Sequence, residues 1–433
     1  MNFDNIYLPC SLDINVYKAY FTSDSQNSKN SPASLKAKPS LETDSKILEP
    51  KTLRLLALDK IVDNWIEMPI FNEITKQVDR NYVVDNLPMN IPLKISSVHI
   101  KDDFFWRKCY QHRWKTLPID VGNRSWIDVY MEKHLQEYLE NVNISDYDQE
   151  SVQTILDISA GYIKRLEIDF LQPSMGEIND HIPLDIILSN LPDLRSLRVT
   201  YCTKTIETNF YLGCSSFSRN DITTFALGLS NCSELQEFWL HSVKLAPYQL
   251  ALISKSLDKG CQNLKKLAVT HCAMHDDGLQ QFLDGCTAES FPNLNILDLT
   301  NNLISPEGAF TLSQALKGRH LEQLILRLNP IESDGAAAIL SVVQHLPLKD
   351  LDISGCSMTN TVTKILMQLI VQNATILNLD ISNNILKESS GQKICKIIGF
   401  NKILRKLDLR NTGVTLDTKN KIMEVLKLNK YSS

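Results

Sequence analysis

The chain has 433 residues, and its 45 Lys and Arg against 50 Asp and Glu give a formal net charge of −5. This balance argues against generic nucleic-acid binding, which requires a surplus of basic residues. With only 15 Gly and 16 Pro, the chain is neither collagen-like nor a Pro/Gly-rich disordered protein, and its ten cysteines are too dilute for a disulfide scaffold.

The first 50 residues are predicted to form a flexible, serine-rich segment. Residues 22–45 contain seven serines and no aromatic residue, so they cannot bury enough apolar surface to offset chain entropy. The start of the chain lacks a basic stretch followed by an apolar run, and no stretch of 18 apolar residues occurs. The sequence therefore predicts neither a secretory signal nor a membrane contact, and a cytoplasmic setting with reduced cysteines is expected.

Residues 51–145 are predicted to form a helical domain. Apolar residues at helical spacing predict helices over residues 52–65, 70–84, 102–114 and 126–142, and a further helix over residues 149–159. No helix is assigned to the Leu-Pro-Met-Asn-Ile-Pro-Leu run at residues 87–93. The third helix is rich in aromatic residues, and its Trp106 and Trp114 are candidate protein-binding residues.

Residues 146–433 are predicted to be an array of about nine repeats. Each begins with the pattern apolar-x-x-apolar-x-apolar, as in Leu294-Asn-Ile-Leu297-Asp-Leu299. The nine starts lie at residues 163, 194, 235, 264, 294, 321, 348, 376 and 404. A period near 28 residues is typical of leucine-rich repeats.

Six of the nine repeats carry Asn or Cys at the eighth position after the start. Here the chain leaves its strand, and its backbone N–H and C=O groups lose their ladder partners. A buried amide or thiol can bond those groups from one repeat to the next. The predicted structural turn ladder consists of Cys202, Cys272, Asn302, Asn329, Cys356 and Asn384.

Each predicted strand is followed by a helical pattern. Ser305 and Ser333 stand where the N-cap of a helix is expected, and Pro306 suits the first helical turn. The fold class is therefore α/β: a solenoid that resembles the ribonuclease-inhibitor type of leucine-rich repeat. In such a horseshoe, the parallel sheet lies on the concave face and the helices lie outside.

In each predicted strand, the side chain between the second and third apolar residues of the pattern points away from the predicted core. Four aspartates at this position in the C-terminal half would form an acidic stripe, although Leu-Asp-Leu is also simply common in such repeats. Trp and Arg dominate binding energy at interfaces, so Trp and Arg on the same surface are the stronger candidates. The candidate protein-binding residues of the sheet are Trp239, His241, Asp298, Arg327, Asp352, Asp380, Asp408 and Arg410.

No motif for catalysis or cofactor binding occurs. The sequence lacks a phosphate-binding Gly-x-x-x-x-Gly-Lys-Ser/Thr loop, Gly-x-Gly-x-x-Gly, His-Glu-x-x-His and Gly-x-Ser-x-Gly. We therefore predict a protein that is not an enzyme and that uses no cofactor, metal or small-molecule substrate. Residues 401–433 carry eight Lys and Arg against three Asp and Glu, so this end could contact an acidic partner.

The N-terminal domain carries a resemblance to a known family. The features that carry it are a helix, the Leu-Pro run at residues 87–93 and the segment from Phe105-Trp106-Arg107 to Arg113-Trp114, all joined to the repeats. Together they resemble the leucine-rich-repeat subunit 5 family of the dynein regulatory complex. The resemblance covers roughly residues 51–433. It implies a non-enzymatic scaffold in the cytoskeleton of motile cilia and flagella, within the axonemal nexin link that regulates dynein-driven sliding. The implied partners are other subunits of that complex and doublet microtubules.

Two other classes remain open on the sequence. Leu87-Pro88 followed by a helix ending in Cys109-x-x-x-Arg113-Trp114 is loosely similar to an F-box, which would indicate a substrate adaptor of a ubiquitin ligase. The repeat type also resembles that of a family of GTPase activators. Such an activator needs an Arg finger or its equivalent, and no residue of this chain is assigned to that task.

Overall fold

The computed structural model describes residues 51–118, 121–122, 124–142, 144–171, 180–201, 217–286 and 290–431. The chain divides into two compact units. One comprises the chain up to His134 together with Gln153–Ser159, and the other comprises Leu135–Val152 and the chain from Ala160 onward. Within the described ranges, no helix is long and apolar enough to cross a membrane.

The first unit is helical. Its helices are α1 (Leu53–Asp63), α2 (Gln77–Asn86), α3 (Leu93–His99) and α4 (Asp103–Trp114), with a 3-10 turn at Phe71–Glu73. The helix predicted over residues 70–84 is thus divided into that turn and α2. Helix α3 was not predicted; it begins directly after Pro92, whose fixed φ of −53° is compatible with a helix start.

Aromatic side chains form the core of the first unit. Trp65 and Trp106 are each only 1% exposed. The indole Nε1 of Trp106 donates a hydrogen bond to the Ile100 carbonyl at 2.8 Å, so its polar edge is also satisfied inside the unit. Trp106 is therefore a core residue, and its assignment as a binding candidate is corrected by this burial. Trp114 remains half-buried, with its ring centroid 4.6 Å from that of Tyr110.

Helices α5 (Trp126–Asn141) and α6 (Gln149–Ser159) lead into the second unit, where nine strands form one parallel sheet in sequence order. The predicted repeat array is confirmed by this sheet. The strands are β1 (Arg165–Ile168), β2 (Ser196–Thr200), β3 (Glu237–His241), β4 (Lys266–Thr270), β5 (Ile296–Asp298), β6 (Gln323–Ile325), β7 (Asp350–Asp352), β8 (Asn378–Asp380) and β9 (Lys406–Asp408).

A helix follows each strand. These helices are α7 (Asp185–Ser189), α8 (Arg219–Leu229), α9 (Pro247–Gly260), α10 (His275–Asp284), α11 (Pro306–Ala315), α12 (Glu332–Val343), α13 (Thr363–Gln372), α14 (Lys387–Ile397) and α15 (Leu416–Tyr431).

The strands are in register because equivalent leucines of neighbouring repeats pair. Leu297 pairs with Leu324, and Leu324 pairs with Leu351, and all three side chains are buried. Successive side chains of a strand point to opposite faces, so the residues on either side of each leucine lie on the other face of the sheet. Each repeat alone could not bury this apolar row, and stacking buries it continuously.

The N-cap predictions have different outcomes. Ser305 is the N-cap of α11, where its side chain accepts from the Glu307 amide, and Pro306 is the first helical residue. The prediction for Ser333 is wrong, because α12 already begins at Glu332. The Ser333 hydroxyl instead accepts a hydrogen bond from the Thr359 amide at 2.9 Å, which joins this repeat to the next one.

The asparagines at the turn position bond the backbone of the preceding repeat. The Asn329 Oδ1 accepts from the amides of Asn302 (2.8 Å) and Ile304 (3.2 Å). Its Nδ2 donates to the carbonyls of Leu299 and Leu326, both at 2.8 Å. Asn329 is fully buried, so these four bonds satisfy backbone groups that water cannot reach.

The other described turn residues take part in the same kind of contact. The Asn302 Oδ1 accepts from the Cys272 amide at 3.1 Å, and the Asn384 Oδ1 accepts from the Cys356 amide at 3.0 Å. The thiol of Cys356 donates to the Leu326 carbonyl at 3.3 Å. Burial raises the pKa of both the Cys272 and the Cys356 thiol to about 12, so both remain protonated donors. Cys202 lies outside the described residues.

Candidate protein-binding face of the sheet

The candidate site is the face of the sheet opposite to the buried leucines, which we call the outward face. We follow it at one position per repeat, the residue between the last two apolar residues of the strand pattern, such as Asp298 between Leu297 and Leu299. In β1 to β4 these residues differ in type, whereas in β5 to β9 four of five are aspartates. The nine residues are Glu167, Arg198, Trp239, Ala268, Asp298, Ile325, Asp352, Asp380 and Asp408. Because neighbouring strands are about 4.8 Å apart, these side chains form one row across the sheet.

Trp239 is the centre of the N-terminal half of this face. The guanidinium carbon of Arg198 lies 4.4 Å from the centroid of the indole, and the Lys266 ammonium lies 5.3 Å from it. The indole Nε1 donates to the Thr270 hydroxyl at 2.9 Å, and Thr270 itself is buried. We call Arg198, Trp239, Lys266 and Thr270 the tryptophan platform. Three adjacent strands contribute to it, because Arg198 of β2 and Trp239 of β3 are paired in register and Lys266 is the first residue of β4.

The two cations of the platform have no ion pair with any described carboxylate, since no Asp or Glu oxygen of the described ranges lies within 4 Å of them. Cation–π contacts are their main contacts with neighbouring side chains, and such contacts contribute about 0.5–1 kcal/mol at exposed sites. Arg198 and Lys266 are both half-buried, so water and ligands reach them. The platform therefore presents a rigid aromatic ring together with two cations that have no ion pair with a described carboxylate.

Two histidines extend the platform along the sheet. The His241 Nδ1 lies 2.7 Å from the Thr270 hydroxyl, and the rings of His241 and His271 are 4.8 Å apart. Burial, together with the neighbouring His271 and Arg198, lowers the pKa of His241 to about 4. Burial also lowers the pKa of His271. Both rings are therefore neutral at neutral pH, and the positive charge of the platform comes from Arg198 and Lys266.

The aspartates of the C-terminal half are engaged in local turns. Each carboxylate accepts a hydrogen bond from the backbone N–H two residues later, which is the geometry of an Asx turn. These bonds run to Asp298 from Thr300 (3.0 Å), to Asp352 from Ser354 (2.9 Å), to Asp380 from Ser382 (3.0 Å) and to Asp408 from Arg410 (3.0 Å). These side chains thus help the chain to leave the strand, and a binding role for them stays a prediction.

Asp408 and Arg410 also neutralise each other. The Arg410 side chain contacts the Asp408 carboxylate through Nε at 2.9 Å and Nη2 at 2.7 Å. Burial alone would raise the pKa of Asp408, but the hydrogen bonds and charge of Arg410 outweigh it and hold that pKa below its usual value. The Arg410 charge is therefore less available to a partner than that of Arg327, which is exposed and has no ion pair among the described residues.

A buried hydrogen bond between His181 and Asp221 supports the N-terminal half of the sheet and was not predicted. His181 is 2% exposed and Asp221 is 3% exposed, and the His181 Nδ1 lies 2.9 Å from the Asp221 Oδ2. Asp221 also accepts from the amides of His181 (2.8 Å) and Ser218 (3.0 Å). Burial alone would raise the pKa of Asp221, but the hydrogen bonds from His181 outweigh it and hold that pKa below its usual value. The 40-residue separation of the pair gives no sequence signal.

Comparison with known proteins agrees with this architecture. A family model described as Leucine Rich repeat matches residues 260–283, 292–313 and 319–340. The chain is a leucine-rich-repeat protein. Within the described ranges, no group of three or more His, Cys, Asp or Glu side chains is placed to hold a metal ion.

The most informative relatives are proteins named dynein regulatory complex subunit 5. The chain is 26% identical to the mouse protein over 244 residues (52% of this chain and 49% of that protein). It is 25% identical to the Macaca fascicularis protein over 311 residues (67% and 56%) and 26% identical to the Chlamydomonas reinhardtii protein over 210 residues (48% and 48%). The chain thus spans about half the length of the curated relatives it matches.

Proposed function

We propose that this chain is a non-enzymatic, protein-binding scaffold of the dynein regulatory complex in motile cilia and flagella, where it helps to regulate dynein-driven microtubule sliding. The names of its relatives support the assignment to this complex. Its partners would be other subunits of the complex and doublet microtubules, and its location the axoneme. Within it, residues 1–50 would be a serine-rich segment, residues 51–145 a helical domain and residues 146–433 the repeat domain.

The tryptophan platform is the observation that carries the binding role. Trp and Arg are the residue types that contribute most to binding energy at protein interfaces. The Trp239 ring is held by its bond to Thr270 and by the cations on either side, so little side-chain entropy is left to lose on binding. A side chain that is fixed, half-buried and flanked by unpaired charge is suited to contact a protein surface.

The test is affinity purification of the tagged chain from axonemes of a flagellated cell. We expect co-purification of other dynein regulatory complex subunits, and a reduced yield of at least one of them for Trp239→Ala. Tyr248→Ala is the matched control, because Tyr248 is an aromatic residue that is 60% exposed on α9, away from the outward face.

Two outcomes would contradict the proposal. The first is a protein that remains in the soluble cytosol and recovers no subunit of the complex. The second is recovery of a ubiquitin-ligase linker protein in place of axonemal proteins, which would favour the F-box-like adaptor.

A further inference from the structure

We infer that the tryptophan platform binds an acidic segment of a partner protein, with carboxylates at Arg198 and Lys266 and the chain methylenes on the Trp239 indole. This inference rests on the proposed protein-binding function and specifies the chemistry of the partner. The names of the relatives specify no recognition site on the outward face, and this inference supplies one.

The cleft that contains the platform carries a surplus of positive charge. It is lined by three cations, Arg165, Arg198 and Lys266, and by two carboxylates, Glu167 and Glu237. A Glu167 oxygen lies 3.9 Å from the Arg165 guanidinium, and Glu237 accepts from the Ser196 hydroxyl at 3.1 Å. The two histidines next to the platform are neutral at neutral pH, so one positive charge of the cleft is left for a partner.

The placement of Arg198 favours a carboxylate. Its Nε is buried and has no hydrogen-bond partner, because the guanidinium lies over the indole. The remaining guanidinium nitrogens can then donate in the fork geometry that matches a carboxylate, while the ring covers one face of the group. The cleft between β1 and β4 has a volume of about 140 Å³, enough for the head group of an Asp or Glu side chain.

The two cations indicate the spacing of the acidic residues. Each lies within 5.3 Å of the indole centroid, so their separation is at most about 10 Å. In a polyproline II segment, which has three residues per turn, residues i and i+3 lie on the same face and are about 9 Å apart at ~3.1 Å per residue. One carboxylate can therefore meet Arg198 while a second meets Lys266, and the intervening residues lie across the Trp239 ring. The face of a Trp ring packs against the methylenes of a peptide segment, which an inorganic anion lacks.

The test measures binding of fluorescein-labelled hexaglutamate to the full chain by fluorescence anisotropy. We expect binding that weakens as salt is raised from 50 to 500 mM, because the contacts are exposed charge pairs. Arg198→Gln, Lys266→Gln and Trp239→Ala should each raise the Kd about tenfold, whereas Trp239→Phe should change it less than threefold. The control Lys349→Gln removes a cation that already pairs with Glu322 at 2.9 Å and should change the Kd less than twofold.

Every other outcome overturns the inference. Equal weakening by Lys349→Gln would show that the peptide responds to net charge only. Binding of a phosphoserine peptide without binding of hexaglutamate would assign the platform to phosphate groups. Thermal unfolding of each variant distinguishes lost binding from lost folding, and Trp239→Phe retains the ring if Trp239→Ala does not fold. If hexaglutamate does not bind while axonemal subunits still co-purify, the inference fails and the proposed function stands.

Discussion

In β2 and β3 the outward face carries Arg198 and Trp239, whereas in β7 to β9 the same strand position carries three aspartates. Arg198 in the first region contacts the Trp239 ring but has no ion pair with a described carboxylate. The aspartates of the second region accept hydrogen bonds within their own turns. By composition alone, the acidic half would be taken as the more conspicuous binding surface. Its carboxylates are nevertheless the less available groups.

The residue two positions after each outward residue explains why the aspartates are bonded locally and Trp239 is not. In β7 and β8 that residue is a serine, whose amide meets the carboxylate and whose small side chain leaves room for the turn. Two positions after Trp239 stands His241, and the indole turns instead to Thr270 of the next strand. Whether an outward side chain is free for a partner therefore depends on its local turn, and less on its own charge.

The largest expected effect is on the buried charge that supports the N-terminal half. Asp221→Ala should lower the free energy of unfolding by about 3–5 kcal/mol, because it leaves the His181 ring and the amides of His181 and Ser218 without their acceptor and breaks the capping box of α8. Urea unfolding measures this effect. The control Asp193→Ala removes an exposed carboxylate and should change the stability by less than about 0.5 kcal/mol. A change below 1 kcal/mol for Asp221→Ala would show that the pair does not support this half.

The next effect is on the turn ladder of the C-terminal half. Asn329→Ala should destabilise the chain by about 3 kcal/mol, because it leaves the Asn302 and Ile304 amides and the Leu299 carbonyl buried without partners. Hydrogen exchange should show faster exchange at the two amides. The control is Asn420→Ala on the exposed surface of α15, where alanine is the better helix former. Unchanged exchange at Asn302 would contradict the role of the ladder.

A smaller effect compares the two halves directly. Asp352→Ala should lower the free energy of unfolding by about 1 kcal/mol, because its carboxylate accepts from the Ser354 amide (2.9 Å) and hydroxyl (2.7 Å). Lys266→Ala should have a smaller effect of about 0.5 kcal/mol, since it removes only a long cation–π contact with Trp239. If Lys266→Ala proves the more damaging of the two in urea unfolding, the distinction between engaged and available charge is wrong.

Much of this architecture could be predicted because the same apolar pattern occurs nine times in the sequence. The apolar periodicity located all nine strands, and the turn position located Asn302, Asn329 and Asn384. Where a feature occurs once, the prediction was weaker. Trp106 is of a residue type that is common at binding sites, but it lies in a core. Ser333 was predicted as an N-cap, but its helix already begins at Glu332.

The candidate site could be predicted only in part. Trp239 and His241 stand out as residue types, but their neighbours depend on the register between strands that are 27 or more residues apart in the chain. Aligning the repeats would have placed Arg198 beside Trp239. It would not have shown that Thr270 holds the indole, or that the aspartates close onto their own turns. Those contacts depend on side-chain orientation.

A further expected effect is a pH dependence that arises, within the sheet, from His241 in the N-terminal half. The pKa of His241 is about 4 in the folded chain against 6.5 without burial, so below pH 6.5 the unfolded state binds the additional proton. The stability contributed by neutral His241 is therefore present above pH 6.5 and is lost as the pH falls towards 4. Urea unfolding at pH 7 and pH 5 should show this loss in the wild type and a smaller loss in His241→Gln.

His320→Gln is the matched control for that titration, because His320 is an exposed histidine outside the outward face. Its loss of stability between pH 7 and pH 5 should equal that of the wild type. Asp408 should contribute nothing in this range, since its pKa is held below its usual value and it takes up a proton only in more acidic solution. An equal loss in the wild type and His241→Gln would show that burial and the neighbouring Arg198 do not keep this ring neutral.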